Sequence, residues 1–586
     1  MVRMFKISYK MTRILTPVSF WKPIGPIPSF ISKYTTTTPN EDIHLPYLED
    51  GTYSGTIDWG DGTITNNSYD DRIHTYVSSG THTVTIDGQI IGYNHIWGDS
   101  STRLNLVEIT QWGLLNCGNM AGAFSDCRNL ILDNVTDVLN ITSNNLSQMF
   151  LFCESLITCP YMDQWNTSSV TSMEMMFQYC YNFNQPLNNW DVSSVTSIGS
   201  MFAGCSDFNQ SLSSWDTSSV TMMYGVFQGC LDFNQSLSNW DTSNVTNMEY
   251  MFYGCSVFDQ PLTTSGNYWN VSSVTDIAYM FAACSAFNRS LNSWDTSSVT
   301  VMPGVFQGCS AFNQSLSNWD TSNVTIIDEM FQGCTIFDQP LTTSGNYWNV
   351  SSVTTMYGMF QGCSAFNRSL NSWDTSSVTD MSSVFADCSS FNQSLSNWYT
   401  TYVTNMNSMF YGCTIFDQPL TTSGHNWNTV SVTEMAGMFQ GCSAFNRSLN
   451  SWNTSNVTTM YRTFYNCSVF NQPLSNWDTS NVTTMFGMFQ DCPDFNQPLN
   501  NWDTSSVISM RVMFRDCYDF NQPLNNWDTS GVTDMVGMFG NNGSSMTFNQ
   551  DLSDWCVQHI PTIPLDFANN SPQWTLPKPV WGTCPP

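Results

Sequence analysis

The stretch WDTSSVTMMYGVFQGCLDFNQSLSN, residues 215–239, is followed without a gap by a second version of itself that begins at Trp240. Tryptophan keeps this beat at 165, 190, 215, 240, 269, 294, 319, 348, 373, 398, 427, 452, 477, 502, 527 and 555. The steps are 25, with 29 at three places and 28 at the last, and a cysteine follows each tryptophan fifteen positions later from Cys180 to Cys517. A 25-residue unit cannot bury its own apolar face, so successive units must stack and share one core. The expected architecture is a repeat solenoid.

Within the unit, Val220, Met223 and Phe227 stand at i, i+3 and i+7, which predicts one face of a short helical turn opened by Ser or Thr caps. Phe233 to Leu237 is too short for a helix and reads as an extended strand. Parallel strands lie about 4.8 Å apart, so roughly seventeen coils predict a rod or gentle arc on the order of 80 Å long. The 29-residue steps lengthen the link from leucine to tryptophan, as in Leu262-Thr-Thr-Ser-Gly-Asn-Tyr-Trp269, and again before Trp348 and Trp427. The sequence therefore also repeats every 79 residues, in blocks of three coils, and the inserted loops are expected to protrude from one side.

Outside residues 165–555 the beat loosens. Phe124-Ser-Asp-Cys127 and Met149-Phe150-Leu-Phe-Cys153 read as irregular N-terminal coils within 106–164, and residues 556–586 form a Pro-rich C-terminal cap. Asn542 stands where the next cysteine of the column belongs. Residues 35–105 alternate in strand fashion around an Asp-Gly turn at Asp61-Gly62 and predict a small all-β, sandwich-like module. Residues 1–34 are a basic leader or N-terminal arm with Arg3, Lys6, Lys10, Arg13, Lys22 and Lys33. It has the charged start of a secretory signal but a weak apolar segment and no clear cleavage site.

Only 11% of the 586 residues are charged, and 46 acidic residues against 16 basic ones give a net charge of -30. Nucleic acid is disfavoured as a partner, because phosphate neutralisation needs clustered Lys and Arg. Neutral or cationic partners fit better. No stretch approaches the roughly 18 apolar residues of a transmembrane segment.

The unit FNQSLSNWDTSNVTNMEYMFYGCSVF, residues 233–258, resembles the BspA-like leucine-rich-repeat surface proteins, with their recurrent W-D-x-S-x-V-T-x-M-x-x-M-F-x-x-C-x-x-F-N-Q-x-L. The likeness covers about residues 105–555. Ile57-Asp-Trp-Gly-Asp-Gly-Thr63 with His74-Thr-Tyr76 looks like the PKD-type module often placed ahead of such repeats, and Trp555-Cys556 with Trp581-Gly-Thr-Cys584 is similar to the family's terminal cap. The resemblance implies a leucine-rich-repeat-like solenoid, surface display, and adhesion or interaction rather than catalysis.

Candidate chemistry is sparse. Fourteen cysteines at one repeat position read as a buried column, since zinc sites want pairs two to four apart. The tryptophans read as core, and the Asp after Trp (Asp191, Asp216, Asp241, Asp295, Asp320) as a turn cap, because Asn270 and Asn349 serve equally. Cys556 with Cys584 is the expected disulfide, closing a cap with little core, and Cys117–Cys127 or Cys153–Cys159 are weaker alternatives. No metal site, cofactor or catalytic residue is expected. Arg289, Arg368 and Arg447 recur 79 apart where other coils have Gln, one coil after loops that carry Asn267, Tyr268, Asn346, Tyr347, His425 and Asn426. These nine residues are the expected ligand-binding set, because loops on a rigid scaffold are where binding resides. The expected function is multivalent binding of glycan or protein on a host or neighbouring-cell surface, by a protein that is extracellular, cell-surface or virion-associated. The alternative is a passive structural spacer.

Overall fold

The computed structural model describes residues 28–97, 102–262, 269–342, 348–420, 427–543 and 545–585. Its N-terminal part is built of β1 (Phe30–Thr36), β2 (Glu41–His44), β3 (Tyr47–Asp58), β4 (Ile64–Asn66), β5 (Ile73–Tyr76), β6 (Gly80–Tyr93), β7 (Leu106–Gln111) and β8 (Leu115–Asn116). The main sheet runs β4-β3-β6-β1-β7, all neighbours antiparallel, with β8 added parallel to β6; β2 and β5 pair separately. The sheet thus draws in residues on both sides of 35–105. In β1 every second residue is buried, the signature of a strand with one face on a core. Asp58 and Asp61 accept the backbone N–H of Gly60 and Thr63, both at 2.9 Å, which makes them turn-forming carboxylates.

β7 starts the solenoid. Glu108 forms a parallel bridge to Ile131, and further bridges run Asn145, Ser172, Ser197, Met222, Asn247, Asp276 and onward to Asp534. Tyr93 and Trp112 pack on Phe124 at 5.6 and 5.7 Å, so the core of the β module continues into the repeats.

The predicted helical turn does not form. Among the described residues the one helix is a 3-10 turn at Met162–Gln164. Each regular coil instead passes twice through left-handed backbone, four residues apart, as at Gly225 (φ 57°) and Gly229 (φ 71°) or Tyr250 (φ 56°) and Gly254 (φ 77°). A right-handed helix cannot run through such a residue. The segment is a series of fused turns: Gln228 and Cys230 donate back three residues to Gly225 and Phe227. The alternate N–H groups of Met223, Gly225, Phe227 and Gly229 donate to Asn247, Glu249, Met251 and Tyr253 of the next coil at 2.6–3.1 Å. The i, i+3, i+7 apolar pattern is therefore that of turns facing a core.

The predicted strand is also displaced. The bridge between coils sits at Met222, and Phe233–Leu237 carries no strand. There side chains join the coils, with Asn209 Oδ1 accepting both the Asn234 N–H (3.1 Å) and the Gln235 Nε2 (2.9 Å). The 29-residue steps leave the register intact: Met248 N–H reaches Asp276 O at 3.0 Å, and Trp269 Nε1 reaches Leu237 O at 2.8 Å.

Every column of the core repeats this economy of neutral groups. Trp215 and Trp240 stack at 6.1 Å, and Phe227 lies 5.9 Å from Phe202 and 5.7 Å from Phe252. Trp240 Nε1 donates to Leu212 O, Cys230 Sγ to Phe202 O and Thr217 Oγ1 to Asp241 O, so buried polar atoms are satisfied by the adjacent coil. Low charge follows from this design.

Burial pushes the column thiols, such as Cys205 and Cys230, well above their ordinary pKa. Cys117, Cys127, Cys153 and Cys159 are free, so neither weaker disulfide alternative forms. Iodoacetamide at pH 8 is expected to leave Cys180 to Cys517 unlabelled in the native protein, because the thiolate is the nucleophile, and to label all of them once the chain is unfolded. Peptide mapping checks this; substantial native labelling of the column would contradict it.

Candidate interaction surfaces

Six of the nine expected ligand residues, Asn267, Tyr268, Asn346, Tyr347, His425 and Asn426, lie outside the described residues. The other three are tied into the frame. Arg289, Arg368 and Arg447 donate from Nε to the carbonyls of Asp259, Asp338 and Asp417 at 2.8, 2.9 and 3.0 Å. Their Nη2 atoms sit 2.7 Å from the same three carboxylates. This is a charged version of the Asn–Gln step seen at Asn209 and Gln235. The signal was in the sequence: Asp replaces Asn in the coil before each Arg that replaces Gln. The three arginine side chains remain 49% exposed.

The Asp after Trp is a turn cap in the structure. Asp216 Oδ1 accepts the Ser218 N–H at 3.1 Å, and Asn270 does the same for Ser272 at 3.0 Å. At Asp191 the Ser193 hydroxyl and N–H both bind the carboxylate and hold its pKa below the ordinary range. Cys556 and Cys584 are joined by a disulfide in the cap.

A different surface emerges from comparing the blocks with the fold. Residues 240–318 and 319–397 differ at nineteen aligned positions. Fourteen of them fall in five columns, those of Met222, Tyr224, Gly225, Gln228 and Gly229, along the bridged turn segment. The remaining five are conservative: Met248/Ile327, Ile277/Met356, Ser256/Thr335, Val257/Ile336 and Ala311/Ser390. Between these two blocks the non-conservative change is thus confined to one ladder face, whose side chains are largely half-exposed.

That face is acidic and aromatic. From Glu174 to Glu434 its columns hold acids, including Glu249, Asp276, Asp328, Glu329 and Asp380, and no base. Tyr250 stacks on Tyr279 at 5.2 Å, and Tyr279 OH and Gln307 Nε2 reach Glu329 Oε2 at 3.3 and 3.0 Å. Asp328 Oδ1 accepts from Thr355 Oγ1 and from the Tyr357 N–H, both at 2.8 Å. Partial burial, and then neighbouring Asp276, raise the pKa of Glu249. Burial outweighs the two hydrogen bonds at Asp328 and raises it too, with Asp380 and Glu329 adding repulsion. Arginines enter the face only near its C-terminal end, at Arg462, Arg511 and Arg515.

A carboxyl raised on folding binds protons more readily in the folded chain, so its contribution falls as pH rises from the unfolded value of about 4 through the raised folded one. Asp328→Asn is therefore expected to reduce the loss of stability between pH 4 and pH 7. Urea midpoints at both pH values check this, and an unchanged difference would contradict it.

The family model described as "Mycoplasma protein of unknown function, DUF285" matches residues 98–205, 144–265, 264–346, 342–424, 421–517 and 474–573. The chain belongs to the DUF285 family. The DUF285 matches succeed one another along the solenoid, each spanning several coils. The chain is also similar to the crystal structure of a leucine-rich repeat protein from Eubacterium ventriosum, at 17% identity, covering 68% of this chain and 95% of that one, with a TM-score of 0.33. A search of curated proteins finds no match. Among the described residues of this DUF285 chain, no helix is long and apolar enough to cross a membrane.

Proposed function

We propose that this is a non-enzymatic interaction protein of a cell surface or virus particle, in which the ladder face reads the partner and the other columns are frame. The observation that carries this is that the non-conservative differences between residues 240–318 and 319–397 all fall on that face. Backbone conformation supports it. In the Gly225 column, Gly304 and Gly358 take the left-handed conformation easily, yet Tyr250, Tyr279, Glu329 and Arg462 hold it at φ 50–56°. A side chain there costs on the order of 1 kcal/mol against glycine. Strain retained coil after coil, with a different side chain each time, fits selection for what the side chain touches.

Acids without bases favour a cationic partner segment, such as a lysine-rich stretch of a surface protein. Stacked coils repeat weak contacts, which add as avidity. The loops carrying Tyr268, Tyr347 and His425 are a second candidate surface on the same scaffold, and the BspA-like resemblance supports adhesion as the setting.

Grafting the fourteen face residues of block 240–318 onto block 319–397 keeps the frame and changes only the reader. Binding to surface extracts of the producing and neighbouring cells is expected to change at least tenfold. Loss of binding only when Tyr268, Tyr347 and His425 are replaced together would move recognition to the loops. Binding indifferent to both changes would leave the spacer reading.

A further inference from the structure

One aromatic cluster of the ladder face is filled by the chain itself. Arg462 holds its guanidinium carbon 5.3, 5.0 and 5.4 Å from the ring centres of Tyr461, Tyr465 and Phe486, within the roughly 6 Å reach of cation–π attraction. Its Nε is buried without a hydrogen-bond acceptor, so rings surround this part of the group. Tyr461 and Phe486 stand in the Tyr224 column, Arg462 in the Gly225 column and Tyr465 in the Gln228 column.

A second cluster in the same columns has rings and carboxylates but no cation. Tyr250 and Tyr279 occupy the Arg462 column and stack at 5.2 Å, 4° from parallel. Tyr253, in the Tyr465 column, meets Tyr250 edge-on at 5.7 Å and is 38% exposed. The coil before has Gly225 in the Tyr250 column, which brings no side chain against the outer face of the stack. Partial burial, and then Glu249, Tyr253 and Asp276, raise the pKa of the Tyr250 hydroxyl, so two carboxylates lie close to the stack. Among the described residues, neither Glu249 nor Asp276 forms an ion pair.

Taking the ladder face as the reader of a cationic segment, on which this step rests, we infer that Tyr250, Tyr253, Tyr279, Glu249 and Asp276 form a subsite for one arginine side chain of that segment. The guanidinium lies on Tyr250 at the Gly225 side and donates to the carboxylates. A planar, weakly hydrated fork can stack and pair at once, whereas a lysine ammonium is a strongly hydrated point charge. The next block has Glu329, Gln332 and Gly358 in the three tyrosine positions, so the subsite is not repeated there. Repeated acids alone accept a cationic segment at many offsets along the coils. The aromatic subsite fixes one of them.

Calorimetry of the full chain at physiological salt, with an eight-residue arginine peptide and an eight-residue lysine peptide, tests this. The arginine peptide is expected to bind at least fivefold more tightly. Tyr250→Gly combined with Tyr253→Gln installs the residues that Gly304 and Gln307 already place in these columns, so the frame is kept. This protein should bind the arginine peptide at least fivefold more weakly and the lysine peptide within twofold of wild type. Equal binding of the two peptides by wild type, or an arginine preference that survives the double substitution, would overturn the subsite. If Asp328→Asn with Glu329→Gln weakens both peptides while the tyrosine variant behaves as wild type, the subsite fails and the ladder reading stands. If neither peptide binds the wild-type chain, both fail.

Discussion

Replacing Trp319 by alanine is expected to remove about 3–5 kcal/mol of stability, the usual range for deleting a buried indole. Trp319 is fully buried, lies 6.2 Å from Trp294 and 5.8 Å from Phe306, and donates from Nε1 to Leu291 O at 3.0 Å. Its loss creates a cavity and removes one of the two hydrogen bonds that the Leu291 carbonyl accepts, leaving that from the Trp294 N–H. In a stack where each coil touches only its neighbours, the damage falls on the two interfaces of one coil. Urea unfolding is expected to split into separate transitions for the coils before and after Trp319. A loss under about 1 kcal/mol with a single unchanged transition would contradict the stacked-core account.

The second large effect is expected at the cap. Within the solenoid, rings of successive coils stack nearly parallel, as between Phe489 and Phe514 at 8°. The cap ends the series by turning rings edge-on: Phe567 meets Phe539 at 83°, and Trp574 meets Phe548 at 84°. Edge-to-face contact is as favourable as offset stacking but presents no further parallel face. Cap carbonyls also take the last ladder donors, from Gly537 to Leu565 O at 2.9 Å and from Phe539 to Phe567 O at 2.8 Å. Phe567→Ala combined with Trp574→Ala should therefore open a sticky end. Light scattering is expected to rise well above wild type, and hydrogen exchange between 510 and 555 to accelerate. Unchanged scattering and exchange would mean that the last coil caps itself.

The spacing of Trp and Cys shows the stacking in one dimension, because a column needs only a repeated distance along the chain. The local path of the coil was hidden for a physical reason. Val220, Met223 and Phe227 face inward in a helix and in fused turns alike, and the left-handed positions carry no residue signature when Gly, Tyr, Glu, Ser and Arg all occupy them. Arg289 stands in the expected ligand-binding set as a replacement for Gln, and its partner Asp259 lies thirty residues earlier, one coil away in the fold. The ladder face was available from the blocks alone, but only the fold shows that the changing columns share a surface.

The most direct measurement is the affinity of the full chain for an eight-residue lysine peptide, by calorimetry at low and physiological salt. Asp328→Asn with Glu329→Gln removes two charges from the ladder face, and Asp295→Asn with Asp320→Asn removes two from the turn caps. The expected result is a loss of at least tenfold in the first protein and little change in the second. Equal losses in both would mean that the peptide senses only the net charge, and would contradict a recognition face on the ladder.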